Sequence, residues 1–329
     1  MAEEWTAAVY GATGALGREV RVGLEGHDVP FTRVVPVAGV RSAGEVVPWR
    51  GERRTVIAAR EVDPSTLDYA FFAVPVEVAK AEIPALRARG VFVVDLSGAR
   101  HAGGGDPLPV VWPELGEEAL EDLPGGLALP GAAASTVAPI VDAVARAGVV
   151  IRAIDVVELA SAGDAGREGP EALSKQTVGL LSYTVFDAAP FREPLAFSVL
   201  DAAAGEPARA ARFADEMAAL LPAISAPCRL TTLLIPAFAG VTVVCTLHTR
   251  GPVPSLADLA AALDAHPDLE LVPEGAVLRD AMEADRVQLS PPRLDPDGTI
   301  RIVAVADPLH RIGDRAARLV KRVLAEDLG

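Results

Sequence analysis

The stretch Trp5-Thr6-Ala7-Ala8-Val9-Tyr10-Gly11-Ala12-Thr13-Gly14-Ala15-Leu16-Gly17 decides the fold. Its first six residues are apolar enough for a buried strand. A G-x-x-G-x-x-G turn follows at Gly11, Gly14 and Gly17, and residues 18–25 continue as a helix. Small residues in such a turn let a backbone approach a pyrophosphate closely. The helix start then presents free N–H groups and the positive end of its dipole. Gly11, Thr13, Gly14, Ala15, Leu16 and Gly17 are therefore the candidate dinucleotide contacts. Ordinary tight-turn packing also uses glycines, so the reading rests on the strand–turn–helix context.

The next strand, 32–40, carries a second clue at its end. A dinucleotide without a 2′-phosphate calls for an acid there, whereas NADP calls for a cation. Here the chain reads Val40-Arg41-Ser42-Ala43-Gly44, with no acid before Glu45. Arg41 and Ser42 are the candidate 2′-phosphate ligands and point to NADP, through charge-assisted hydrogen bonds. Farther on, strands at 69–74 and 91–95 flank a helix at 76–89. This alternation predicts a parallel sheet covered on both faces. Loops at 102–109 and 124–131 end the pattern.

Beyond residue 130 the elements differ. A helix is expected at 135–147 with Ser135 as its N-cap, then a long strand at 149–160 and a helix at 207–221. One or two strands fill 229–249, and a helix at 255–265 follows. A strand at 299–306 and a closing helix at 312–328 complete the chain. The fold class is thus α/β: an N-terminal Rossmann-type dinucleotide-binding domain over 1–130, completed by the C-terminal helix 310–329, and a C-terminal α+β dimerisation domain over 131–309. An open sheet face in the second domain suits a homodimer.

Composition narrows the function. The chain has 329 residues, a net charge of −15 and two cysteines. The acidic balance argues against nucleic acid, whose phosphates need cationic partners, and against an anionic membrane surface. The uncharged stretches 123–141 and 230–247 are broken by Pro and Gly, so neither reads as a membrane span. The acidic N-terminus is unlike a secretory signal, and a soluble cytoplasmic protein is expected. Two cysteines exclude a disulfide scaffold or a multi-cysteine metal site, and no metal site is predicted. They leave room for one catalytic thiol.

The chain resembles the aspartate-semialdehyde dehydrogenase family. The resemblance is carried by G-A-T-G-A-L-G (11–17), R-S-A-G (41–44), V-V-D-L-S-G-A-R (93–100), V-W-P-E-L (111–115), A-G-D-A-G…E-A-L-S-K-Q-T (162–177) and V-A-D-P-L (305–309). It implies NADP(H)-dependent interconversion of aspartyl 4-phosphate and aspartate 4-semialdehyde in a homodimer. A cysteine thiolate attacks the carbonyl to form a thioester, a histidine serves as acid/base, and an arginine holds the substrate carboxylate.

The residues for that chemistry are missing. The family's P-N-C-S/T motif falls on Pro130-Gly131-Ala132-Ala133-Ala134-Ser135-Thr136, which puts Ala132 or Ala134 at the nucleophile position. Ala160 stands for the family's Gln. In Leu234-Ile235-Pro236-Ala237-Phe238-Ala239-Gly240-Val241, Leu234 replaces the substrate Arg and Val241 the catalytic His. Pro75 and Val76 replace residues of a nicotinamide-side S-A-G-G turn, and Pro308 an amide. The region around Arg100 matches a phosphate-binding segment, making Arg100 and His101 candidate anion ligands. Cys228 and Cys245 fall outside the nucleophile motif and read as buried structural residues. Cys245 and His248 are three apart on a strand and so face opposite ways.

Three readings stay open: a non-catalytic paralogue that keeps NADP(H) and a small-molecule ligand site, an active NADP-dependent oxidoreductase with altered chemistry, and a structural or regulatory dimer without cofactor.

Overall fold

Six parallel strands in the order β5-β2-β1-β6-β7-β8 form the first sheet of a computed structural model that describes residues 5–102, 106–115, 123, 125–202 and 206–327. These strands are β1 (Trp5–Tyr10), β2 (Phe31–Ala38), β5 (Ile57–Ala58), β6 (Tyr69–Phe72), β7 (Phe92–Asp95) and β8 (Gly126–Ala128). Every pairing among them is parallel. Counted along the sheet this is the doubly wound nucleotide-binding order, whose crevice opens where the winding reverses, between β1 and β6. The strands are buried on both faces and correspondingly apolar, as parallel sheets require. Tyr10 stacks on Phe72 with ring centroids 4.5 Å apart, and burial pushes the Tyr10 hydroxyl up to about 12.

The chain divides into two compact units, residues 1–131 with 309–329, and residues 132–308. The first also holds α1 (Ala15–Gly26), a hairpin of β3 (Val46–Trp49) and β4 (Glu52–Thr55), α2 (Val76–Arg87) and the end helix α7 (Pro308–Asp327). Helix α7 crosses α1 at two glycines. A Cβ on Gly23 would lie 2.6 Å from the Gly313 carbonyl oxygen, so only glycine permits that approach. The contact is reinforced by His27 Nε2 on Asp314 at 2.5 Å and by Lys321, which donates to the His27 carbonyl at 2.6 Å.

The second unit is built on a mixed sheet in the order β10-β11-β9-β12-β16-β14-β13, with β15 beside β16. Its strands are β9 (Val150–Ala160), β10 (Leu200–Asp201), β11 (Cys228–Leu234), β12 (Val241–Arg250), β13 (Leu269–Leu271), β14 (Val287–Leu289), β15 (Arg293–Leu294) and β16 (Ile300–Ala306). Its helices are α3 (Ala132–Arg146), α4 (Glu168–Ser182), α5 (Glu206–Leu220) and α6 (Leu256–Asp264). Helix α5 packs on β11, and α3 packs on β9, β12 and β16. Alternate residues on the other face stay half-buried or exposed, including Thr231, Val157, Val244 and Val303, which share one row across four strands.

Several local expectations need correction. Ser135 is not an N-cap: α3 starts three residues earlier, and the Ser135 and Thr136 hydroxyls both donate to the Ala132 carbonyl, at 3.1 and 2.7 Å. Short hydroxyl side chains bond back to the preceding turn when no open amide is in reach. Helix α7 likewise starts at Pro308, whose missing N–H costs nothing in a first turn. Helix α4, the β3–β4 hairpin and the short strands β5, β8, β10, β13, β14 and β15 were not expected as elements, and β8 lies within the segment 124–131 expected to be a loop. Gln176 of α4 is buried and clamps the following loop. It donates to the Ala188 carbonyl at 3.1 Å and accepts from the Leu195 and Ala196 amides at 2.8 and 3.2 Å. The readings at residues 1–4, 103–105, 124 and 328–329 lie outside the described residues. No helix among the described residues is long and apolar enough to cross a membrane.

Candidate functional site

The turn after β1 sits at the switch point of the first sheet. Gly11 adopts φ +82°, and a Cβ there would lie 2.0 Å from the Ala73 carbonyl oxygen in the loop after β6. A Cβ on Gly17 would lie 2.1 Å from the Gly11 oxygen. These two glycines are fixed by packing within the fold. Gly14 differs, since a Cβ there would meet only the Gly11 oxygen, at 3.2 Å. Gly14 is the N-cap of α1 and has no side chain to cap the helix, so the first-turn amides are left for another partner. Thr13, Ala15 and Leu16 border this opening without being buried. A helix N-terminus with free amides, small residues and an open approach fits a pyrophosphate.

Arg41 and Ser42 lie in the turn leaving β2, the strand next to β1. The turn is pinned by hydrogen bonds from the Ser42 amide to the Gly39 carbonyl at 2.9 Å and from the Gly44 amide to the Val56 carbonyl at 2.9 Å. Arg41 is exposed and has no hydrogen bond or ion pair among the described residues. Arg100 and His101 are adjacent after β7, where the Arg100 Nε contacts the His101 Nε2 at 3.2 Å.

In the second unit, strand pairing brings three of the singled-out positions together. Ala160 ends β9, where Leu234 of β11 and Val241 of β12 pair with it on either side. Val241 also pairs with Ala306 of β16. The row Leu234–Ala160–Val241–Ala306 is therefore aliphatic from end to end. Ala160 is 3% exposed and Val241 2%. Ala132 and Ala134 lie in the first turn of α3, and Ala134 is buried. Helix α3 joins β9 through a short turn at 147–149, so it runs back along the sheet with its N-terminus directed toward the end of β9 that carries Ala160.

The thiols lie elsewhere. Cys228 is six residues from Leu234 along β11 and Cys245 four residues from Val241 along β12, about 20 Å and about 13 Å at the rise of an extended strand. Burial pushes the Cys228 thiol up to about 11 and the Cys245 thiol to about 12. His248 is seven residues from Val241 and reaches Asp155 at 2.7 Å on the open face. His266 lies beyond α6, where its Nδ1 accepts from the Asp268 amide at 3.2 Å.

Two residues in from Ala160, on the same face, is a charged cluster that local sequence did not single out. Glu158 is buried. Its carboxylate accepts from Thr232 Oγ1 at 3.0 Å and pairs with Arg209 Nε of α5 at 2.9 Å. Arg209 also makes a two-pronged bond to Asp164 at 2.6 and 2.8 Å. Burial raises the Glu158 carboxyl above its ordinary value, and Arg209 only partly opposes this. Only an unpaired acid inside an apolar strand, Val156-Val157-Glu158-Leu159, hinted at a buried partner.

The semialdehyde dehydrogenase NAD-binding domain family matches residues 6–123. A Pseudomonas aeruginosa relative named USG-1 protein homolog is 31% identical over 295 residues, covering 87% of this chain and 86% of its own length. The structure of a probable aspartate-semialdehyde dehydrogenase from the same species superposes with a TM-score of 0.89 at 28% identity, covering 99% of this chain and all of the other. The Vibrio cholerae aspartate semialdehyde dehydrogenase II complexed with ASA has a TM-score of 0.88 at 23% identity over the whole of both chains, a likeness of fold. By sequence across most of its length and by fold across nearly all of it, this chain belongs to the aspartate-semialdehyde dehydrogenase family.

Proposed function

We propose that the chain is a non-catalytic member of this family that binds NADP(H) and does not interconvert aspartyl 4-phosphate and aspartate 4-semialdehyde. The observation that carries the proposal is the aliphatic row Leu234–Ala160–Val241, into which neither cysteine reaches. Thioester formation needs a thiolate beside an acid/base group. Ala132 and Ala134 offer no nucleophile, Val241 no proton carrier and Leu234 no cation for a carboxylate. Ser135 and Thr136 spend their hydroxyl protons on the Ala132 carbonyl. Two relatives, 31% and 29% identical, carry the name USG-1 protein homolog rather than that of the enzyme, which accords with a divergent branch.

Retained cofactor binding is supported by the open first turn of α1 and by the unpartnered Arg41. Bound NADPH would supply a hydride donor. The chain's own part is to cradle the pyrophosphate on the α1 amides and hold the 2′-phosphate with Arg41 and Ser42. Arg100 and His101 are the candidate contacts for a further anion. The exposed sheet face with Val157, Val244 and Val303 suits a second copy of the chain, and a cytoplasmic homodimer is the corresponding assembly.

Fluorescence titration with NADPH tests the cofactor half of the proposal. Saturable micromolar binding, weakened in Arg41→Ala, is expected. An absence of binding would leave a structural dimer without cofactor as the better reading.

A further inference from the structure

The 2′-phosphate carries close to two negative charges at neutral pH, more than one guanidinium neutralises. The sheet topology supplies a second cation. Strands β2 and β5 are parallel neighbours with Ala38 opposite Ala58, so the segments that follow them leave the same edge. Arg41 stands three residues past Ala38. Arg60 stands two residues past Ala58, in a single 3₁₀ turn at Ala59–Glu61. The two backbones start about 5 Å apart at the paired alanines. The turn bearing Arg41 is also tied to the β5 side, because the Val56 amide donates to the Glu45 carbonyl at 2.8 Å.

The local charges leave Arg60 available. Its neighbour Glu61 turns back to accept from the Ala58 amide at 3.3 Å. Arg60 is exposed and, like Arg41, has no hydrogen bond or ion pair among the described residues. Among the described residues of this unit, the other arginines without a side-chain hydrogen bond or ion pair are placed differently: Arg18 is on α1, which follows β1, Arg33 lies near the start of β2, at the opposite edge, and Arg53 is on the β3–β4 hairpin.

We infer that Arg60 is a second 2′-phosphate ligand, which together with Arg41 selects NADP(H) over NAD(H). This rests on the proposed cofactor binding and deepens it. Neither arginine alone would discriminate strongly, since each compensates about half of the phosphate charge.

Titration of the full chain with NADPH, NADH and 2′,5′-ADP tests the inference. Wild type is expected to favour NADPH over NADH. Arg60→Ala should weaken NADPH and 2′,5′-ADP roughly tenfold, the scale of one charge-assisted hydrogen bond, and leave NADH within about twofold. Arg60→Lys should recover part of the loss, and both variants should melt with the wild type. If Arg41→Ala weakens NADPH while Arg60→Ala does not, Arg60 is no ligand and the cofactor reading stands. If the wild type binds NADPH and NADH equally or binds neither, the phosphate reading fails, and the role of Arg60 with it.

Discussion

Val241 and Ala160 lie directly opposite each other across the antiparallel β9–β12 pair, and Leu234 flanks Ala160 on the other side. Three positions separated by up to 81 residues in sequence thus meet at about 5 Å strand spacing. The resemblance read from the sequence assigns the polar groups of the reaction to these positions. Here all three side chains are hydrocarbon, and the row closes as a small piece of core.

That closure makes restoration costly. Val241→His puts an imidazole where the pairing partners are Ala160 and Ala306. With no hydrogen-bond partner offered by that row, about 1–3 kcal/mol of stability should be lost. Urea denaturation measures it, and the variant should gain no dehydrogenase turnover.

Arg209 compensates the buried charge of Glu158. Arg209→Ala should cost about 3–5 kcal/mol at neutral pH, because a carboxylate then stays buried without its cation. Glu158→Gln should cost clearly less. A pH signature accompanies this. Burial holds the Glu158 carboxyl above its ordinary value, so the folded state binds that proton more tightly than the unfolded chain. Its contribution favours folding below the ordinary carboxylate range and declines as pH rises through the raised value. Removing Arg209 lifts the carboxyl further. The variant should therefore recover part of its lost stability between pH 8 and pH 5, as denaturation series at both pH values would show.

Gly11 and Gly44 separate two costs of a side chain. Both have positive φ, +82° and +89°, but only Gly11 faces a carbonyl where its Cβ would go. Gly44→Ala should cost about 1–2 kcal/mol for the left-handed backbone alone. Gly11→Ala should add an overpacking cost of about 1–3 kcal/mol and weaken NADPH binding, because the turn that forms the cradle must shift. Melting curves and the NADPH titration measure the two effects.

The cysteines should react slowly, although only Cys245 is buried and Cys228, against expectation, is half-buried. With thiols at about 11 and about 12, Cys228 and Cys245 should alkylate with iodoacetamide at pH 8 far more slowly than a free cysteine. Cys245, fully buried, should be the slower. Mass spectrometry of the folded protein measures both rates. Replacing both with serine should leave NADPH binding unchanged.

Strands β1, β2, β6 and β7 of the first sheet were legible as short apolar runs, and the turn at Gly11–Gly17 names its own neighbours, whereas β5 and β8, two and three residues long, gave no such run. The β3–β4 hairpin was not legible. Its tight turn uses Arg50 at φ +48° before Gly51, and arginine gives no signal for a left-handed turn. Helix α4 hid in a segment rich in Gly, Ser and Pro, and is anchored by Gln176 through contacts distant in sequence. Ser135 looked like a cap because caps and back-bonded hydroxyls use the same residue types. At the candidate site, the side chains at Ala160, Leu234 and Val241 could be read from the sequence, but their meeting in one row depends on strand register. The Glu158–Arg209–Asp164 cluster was hidden for the same reason, since its members come from a strand, an α-helix and a 3₁₀ turn.

Turnover itself tests the central claim most directly. Purified protein, incubated with aspartate semialdehyde, NADP and phosphate, is followed by NADPH absorbance over a range of protein concentrations. The proposal predicts no NADPH formation above the protein-free control, although the same preparation binds NADPH. An initial rate that rises in proportion to protein concentration would contradict it, whether or not the rate survives replacement of both cysteines.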